Sequence, residues 1–138
     1  MTTRPTPRIL LVDDHAGIRH ALALVLAEEG IRDCVESSGP AEAREAVSRG
    51  RPDMALVDLS PGTEEALLLV ADLCARGIPV LVCSMHEEPA YVRRALEAGA
   101  RGYLTKREAP RELGRAVRDI LEGWTLVSPR ATEGLRSA

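Results

Sequence analysis

Four short apolar runs in the sequence each end in a polar residue of a type that phosphoryl chemistry uses. Asp13 and Asp14 follow the first of these runs, Asp58 follows the second, Ser84 the third, and Lys106 the fourth. If the runs are parallel strands, their polar residues lie together at the edge of the sheet where the strands end. Open α/β sheets bind their ligands at this edge, outside the carboxyl ends of the strands. The sequence therefore predicts one site built from residues that lie far apart in the chain.

The predicted site would be strongly acidic. Three carboxylates in close proximity repel one another, so a cation is needed to keep all of them ionised. Mg²⁺ meets this need, because it is usually bound by one or two carboxylates together with phosphate oxygens. Asp58 is then the candidate nucleophile, since a carboxylate can attack phosphorus and carry the group as an acyl phosphate. The Lys106 ammonium would offset phosphoryl charge, and the Ser84 hydroxyl could donate to a phosphoryl oxygen.

Each of these residues, taken alone, also has a simpler structural interpretation. Aspartates directly before helices often act only as N-caps, and this would account for Asp13, Asp14 or Asp58 singly. Capping does not explain why polar residues of suitable chemistry should end the first, third, fourth and fifth strands together. The joint pattern therefore favours a functional site.

The elements that would hold these residues alternate between strands and helices. Apolar runs predict five strands, at 8–13, 32–37, 53–58, 79–84 and 102–105. Between the strands, apolar residues recur at helical spacing, as in Ile18, Leu22, Val25 and Leu26. This alternation predicts an α/β fold in which five helices cover both faces of a parallel sheet.

Composition limits the class of protein. A chain of 138 residues favours a single domain, and a net charge of −3 argues against general affinity for nucleic acid. No apolar run approaches the roughly 18 residues of a membrane helix, which predicts no membrane partner. The cysteines lack metal-ligand spacing, which favours a reducing, cytoplasmic location. The histidines, His15, His20 and His86, are too scattered to form a metal site.

With these residues laid out, the chain resembles the receiver domain of two-component response regulators. The matching segments are Leu-Val-Asp-Asp-His at 11–15, Leu-Val-Asp-Leu at 56–59, Val-Leu-Val-Cys-Ser-Met-His-Glu at 80–87 and Gly-Ala-Arg-Gly-Tyr-Leu-Thr-Lys at 99–106. The resemblance covers residues 8–122 and implies a flavodoxin-like (βα)5 fold with strand order 2-1-3-4-5. Residues 1–7 are then expected to be a disordered tail, and residues 123–138 a linker toward an absent output domain.

The resemblance also implies roles for the site residues. Asp58 would accept a phosphoryl group from a sensor histidine kinase, and Lys106 would contact that group. Asp14 would bind Mg²⁺ directly and Asp13 largely through water, with Asp58 and the backbone carbonyl of Ser60 as further ligands. The chain would thus be a phospho-acceptor module with self-catalysed phosphoryl transfer and dephosphorylation, and not otherwise an enzyme.

The switch and the partners are likewise implied by the resemblance. The Ser84 hydroxyl would move toward the phosphate, and the aromatic ring of Tyr103 would turn into the space left behind. The sequence around these residues is most similar to that of the subgroup whose receivers have a LuxR/NarL-type helix-turn-helix output domain. A transcriptional regulator is therefore expected, with a homodimer as a further expectation and with DNA bound only through an output domain absent from this chain.

Other functions stay open at this point. The loop that runs from Asp58 to Gly62 is one residue shorter than in many receivers, so a phosphate-independent interaction module is the main alternative. A phosphohydrolase with an aspartyl nucleophile would need a second aspartate at the position of Ser60. A flavin carrier of similar fold is disfavoured, because Asp13 and Asp14 would repel the flavin phosphate.

Overall fold

The structure is a computed structural model that describes residues 6–60 and 62–127. Within these ranges the strands are Arg8–Val12 (β1), Asp33–Ser37 (β2), Met54–Val57 (β3), Val80–Ser84 (β4), Gly102–Thr105 (β5) and Leu126–Val127 (β6). The helices are Ala16–Glu28 (α1), Pro40–Arg49 (α2), Thr63–Ala75 (α3), Pro89–Glu97 (α4) and Ala109–Leu121 (α5). No helix in these ranges is both long enough and apolar enough to span a bilayer.

The strands form one parallel sheet in the order β2-β1-β3-β4-β5-β6. The predicted order 2-1-3-4-5 is confirmed. All residues of β3, β4 and β5 are buried. Separate apolar clusters lie on the two faces of the sheet, one around Leu69 and Tyr103 and the other around Leu26 and Leu113. Helices therefore cover the central strands on both sides, which explains their continuously apolar sequences.

Strand β6 was not expected from the sequence. Its two residues pair in parallel with β5, with Leu126 opposite Gly102 and Val127 opposite Tyr103. Two residues are too few to show a strand pattern in the sequence, which predicts a linker over this segment. The domain boundary at residue 122 stays a prediction. Residues 1–5 of the expected tail and residues 128–138 of the expected linker lie outside the described residues.

The turn between α4 and β5 shows how the fold sets the position of the last strand. Gly99 has a φ of +111°, a conformation that glycine adopts without strain. A Cβ at this position would lie 3.0 Å from the Cβ of Cys74 on α3. Glycine therefore allows a close approach between the turn and α3. The strand that follows this turn delivers Lys106 to the carboxyl edge of the sheet.

Candidate functional site

The backbone ladder of the sheet continues past the strand ends and fixes the residues that follow them. The N–H of Asp58 donates to the carbonyl of Val12 at 2.9 Å, and the N–H of Lys106 donates to the carbonyl of Ser84 at 2.9 Å. Asp58 is thereby held beside the end of β1, where Asp13 begins the next loop. Neighbouring strand ends thus bring residues that are distant in sequence to one place.

Asp13, Asp58 and Lys106 form a buried charged group at this edge. The Lys106 Nζ lies 2.7 Å from Asp13 Oδ2 and 3.1 Å from Asp58 Oδ2. The side chain of Lys106 is 7% exposed, and each of the two carboxylates is 3% exposed. Buried charges are retained in proteins when they are paired or bind ions, and here one ammonium serves two carboxylates. The group therefore carries a net negative charge.

One oxygen of this group has no hydrogen-bond partner of normal geometry among the described residues. This oxygen is the buried Asp58 Oδ1, and the nearby N–H of Ser60 is only the smallest influence on the pKa of this carboxyl, which it lowers. A buried acceptor without a donor is destabilising, so a cation or a donor placed at this oxygen would remove a penalty. This oxygen is the point at which the site is chemically incomplete.

The pKa values follow from burial and from these contacts. Burial raises the pKa of Asp58 above its ordinary value, and the charge of Asp13 adds to the increase, while Lys106 opposes it. Burial would lower the pKa of Lys106, but its hydrogen bonds and ion pairs with Asp13 and Asp58 outweigh this and raise it. Lys106 is therefore a permanent ammonium at neutral pH.

Asp14 and His15 stand at the rim of the site. Asp14 is exposed, and its Oδ1 lies 3.1 Å from His15 Nδ1. Candidate ligand atoms from Asp13, Asp14, His15 and Asp58 all lie within 4.8 Å of one another. Carboxylate oxygens in such a cluster, next to an unpartnered buried oxygen, suit a hard divalent cation such as Mg²⁺. His15 lies at this cluster because it directly follows the two aspartates, while its side chain is exposed in the loop before α1, as expected for a loop residue.

A cavity of about 170 Å³ opens beside the carboxylates. Asp13, Asp14, Asp58 and Ser60 line it, and the first turns of α2 and α3 bound it on the other side. Ser60, whose carbonyl is a metal ligand only by the family resemblance, thus lines the same cavity as the aspartates. The cavity gives small ligands access to Asp58 even though that residue is only 4% exposed.

Ser84 and Tyr103 form a second group around the main chain of His86. The N–H of His86 donates to Ser84 Oγ at 3.1 Å, and the Tyr103 hydroxyl donates to the His86 carbonyl at 2.6 Å. Both side chains have no exposed surface. From its place in a strand alone, Tyr103 would be expected at a sheet edge, half covered by a helix. In the structure it is fully buried. One peptide segment thus holds both residues expected to form the switch.

Known proteins share this fold across nearly the whole chain. A solved LuxR-family two-component response regulator from Aurantimonas sp. SI85-9A1 superposes with a TM-score of 0.88, at 29% identity, over 96% of both chains. The oxygen regulatory protein NreC of Staphylococcus carnosus is 28% identical over 132 residues, which are 93% of this chain and 61% of NreC. The transcriptional regulatory protein DegU of Brevibacillus brevis is 31% identical over 131 residues, 93% of this chain and 56% of DegU.

A parallel sheet with this strand order and a pocket at its carboxyl edge is typical of the flavodoxin-like class of ligand-binding α/β proteins. Residues 9–118, well over half of the chain, match the family model of the response regulator receiver domain. The chain therefore belongs to the receiver domains of two-component response regulators, which are signalling modules. It spans less than two thirds of the length of NreC and of DegU.

Proposed function

We propose that this receiver domain is regulated by phosphorylation of Asp58, with a sensor histidine kinase as the phosphoryl donor. The contact of buried Lys106 with both Asp13 and Asp58 carries this proposal. This contact places the candidate nucleophile, Asp58, beside the fixed positive charge of Lys106, where negative charge would develop on the transferred phosphoryl group. The unpartnered Oδ1 of Asp58 supports a cation at the same place.

The transfer balances as one bond formed and one broken. A carboxylate oxygen of Asp58 attacks phosphorus, the bond from phosphorus to the imidazole nitrogen of the donor breaks, and the electron pair leaves with the imidazole. The product is an acyl phosphate on Asp58. Lys106 would follow the transferred group, since its ammonium already contacts the carboxylate that receives it.

Mg²⁺, when bound, would supply positive charge at the phosphoryl oxygens and so lower their repulsion toward Asp58. Asp14 and Asp58 would hold it directly, Asp13 largely through water, and the carbonyl of Ser60 would complete the protein ligands. All four residues line the same cavity, which supports this assignment. The domain's own chemistry would be limited to forming and losing the acyl phosphate on Asp58. We expect no turnover of phosphomonoesters, because Ser60 stands where an aspartyl hydrolase has its second aspartate.

The group around His86 would convert phosphorylation into a change of surface. If Ser84 turns its hydroxyl toward a phosphoryl oxygen, it gives up the N–H of His86. The His86 carbonyl, which accepts the hydrogen bond from the Tyr103 hydroxyl, would then no longer be held in place. We infer that this rearrangement biases a homodimer and controls a DNA-binding output domain beyond residues 8–122. Residues 123–138 would be the linker, and within them Leu126 and Val127 pair with β5 as strand β6. The greater length of NreC and DegU supports such a domain.

The test is intact-mass analysis after incubation with a small phosphodonor and Mg²⁺. We expect one added phosphoryl group on the native chain and none on Asp58→Asn. Asp72→Asn is the matched control, because Asp72 lies on α3 and pairs with Arg44 outside the site. Equal labelling of the native chain and Asp58→Asn would overturn the assignment of Asp58.

The shortened loop after Asp58 favours one second candidate, a receiver that acts without phosphate. In that case the native chain would not be labelled, and a beryllofluoride phosphate mimic with Mg²⁺ would leave its amide spectrum unchanged. Labelling of Asp58, or a spectral change that reaches His86, would rule this candidate out.

A further inference from the structure

Arg19 on α1 makes two hydrogen bonds toward the site from a largely covered position. Its Nη1 donates to the main-chain carbonyl of Asp13 at 2.7 Å, and its Nε donates to Glu36 Oε1 at 2.8 Å. The side chain is 17% exposed. A guanidinium presents donors in a rigid fork, so both acceptors are held in one fixed relation to each other.

The carbonyl that Arg19 binds belongs to the peptide bond that joins Asp13 to Asp14. On its other side, the N–H of Asp13 donates to the carbonyl of Ser37 at 3.1 Å. Residue 13 is therefore anchored at both its N–H and its carbonyl. The plane of this Asp13–Asp14 peptide sets the direction in which the chain leaves β1. The Arg19 contact therefore also fixes the backbone position from which the Asp14 side chain extends.

Strand β2 takes part through this contact. It contributes no side chain to the group of Asp13, Asp58 and Lys106, but its Glu36 holds the guanidinium of Arg19. Glu36 also balances the positive charge of Arg19, which would otherwise repel a divalent cation at the neighbouring carboxylates. The pair can thus orient the loop without adding net positive charge beside the site.

We propose that Arg19, held by Glu36, is a positioning residue that sets the affinity of the acidic site for its divalent cation. This inference rests on the proposed function only in taking Mg²⁺ as the bound ion. Groups that orient metal ligands from outside the coordination sphere commonly change metal affinity by about 10- to 100-fold when they are removed. Neither Arg19 nor Glu36 touches the phosphoryl position, so the chemistry at Asp58 is left intact.

Arg118 provides a matched control within the same molecule. It donates to the carbonyl of Glu29 at 2.9 Å and pairs with Glu29 Oε1 at 2.8 Å, which repeats the carbonyl and carboxylate pattern of Arg19. This contact joins α5 to the residue that follows the carboxyl end of α1, away from the acidic site. Loss of Arg118 therefore reports the cost of an arginine contact to α1 without any effect on Asp13.

The experiment is a Mg²⁺ titration followed by amide chemical shifts, with no phosphodonor present. We expect about 10-fold weaker binding for Arg19→Gln, a similar loss for Glu36→Gln, and native affinity for Arg118→Gln. Arg19→Lys keeps the charge but not the fork, so we expect it to recover only part of the affinity. In a second arm, saturating Mg²⁺ should restore phosphodonor labelling of Arg19→Gln to the native level.

Two results would overturn the inference. One is a Mg²⁺ affinity for Arg19→Gln within twofold of that for Arg118→Gln, and the other is full recovery by lysine. Because the titration needs no phosphodonor, it separates this inference from the proposed function. A chain that binds Mg²⁺ but is never labelled would contradict phosphorylation of Asp58 and would leave the role of Arg19 to the titration.

Discussion

The carboxyl edge of the sheet has two halves of opposite character. The acidic half, formed by Asp13, Asp14 and Asp58 after β1 and β3, borders an open cavity and contains a buried oxygen with no hydrogen-bond partner within residues 6–60 and 62–127. The hydroxyl half, formed by Ser84 and Tyr103 on β4 and β5, is fully buried, and both side chains are hydrogen-bonded to His86. The first half thus offers an open position for a ligand, whereas the polar groups of the second half already have hydrogen-bond partners within the protein.

This difference indicates how a ligand in one half can be sensed in the other. In the proposed function, a cation at the acidic half would meet the buried Oδ1 of Asp58, which has no hydrogen-bond partner among the described residues. The hydroxyl half can respond only by giving up a hydrogen bond that it already makes. Lys106 joins the halves, because it follows β5 but pairs with the carboxylates after β1 and β3.

The largest effect is expected from removal of this link in Lys106→Met. Two buried carboxylates would then share a site with no positive charge, and removing one partner of a buried pair costs about 3 kcal/mol. Urea denaturation in EDTA should show this loss in the free energy of unfolding. Added Mg²⁺ should recover part of it, since a cation that binds only the folded state stabilises that state.

A surface ion pair gives the reference for that measurement. Arg94 on α4 pairs with Glu64 on α3, and these side chains are 43% and 76% exposed. We expect Arg94→Met to change the free energy of unfolding by less than about 1 kcal/mol, with no dependence on Mg²⁺. If Lys106→Met costs no more than Arg94→Met, the buried charges of the acidic half do not need Lys106.

A smaller effect is expected in the hydroxyl half from Tyr103→Phe. The ring stays in place, and the lost hydrogen bond to the His86 carbonyl should reduce the free energy of unfolding by about 1 kcal/mol in thermal denaturation. Phosphodonor labelling of Asp58 should remain, because Tyr103 makes no contact with the carboxylates. Loss of labelling in this variant would show that the two halves are not separable.

The acidic site could be predicted from the sequence because its residues lie at strand ends. Asp13, Asp58 and Lys106 could be placed together because each directly follows a buried strand, and parallel strands end at a common edge. The partners of Tyr103 and Ser84 could not be predicted, because both contact the main chain of His86 and backbone groups carry no residue signature. The proposal that they form a switch rests on the family resemblance alone.

Contacts between a helix surface and an edge strand could not be predicted from the sequence either. Arg19 and Glu36 lie 17 positions apart, and neither belongs to an apolar pattern or a motif. A charged residue on an exposed helix face is usually solvated, so charge alone gave no reason to select Arg19. Strand β6 was missed for a different reason, since only Leu126 and Val127 form it.

The smallest effect concerns the closure of the hydroxyl half, and it changes stability with pH only under alkaline conditions. Burial raises the pKa of Tyr103 from 10.0 to about 12, against an opposing effect of the Ser84 hydroxyl. An unfolded chain loses this proton near 10.0, while the folded chain keeps it, so the folded state binds more protons between these values. The contribution to stability is therefore fully present below pH 10.0 and is lost as the pH rises toward 12.

Absorbance of the tyrosinate measures this directly in Tyr91→Phe, which leaves Tyr103 as the single tyrosine. We expect a titration midpoint near 12, and in Tyr103→Phe a shallower alkaline loss of stability. Some loss should persist in that variant, because burial also raises the pKa of Cys34 to about 11 and of Cys83 to about 12. A midpoint near 10.0 would mean that water reaches the Tyr103 hydroxyl. The hydroxyl half would then be as open as the acidic half, and the contrast between them would fail.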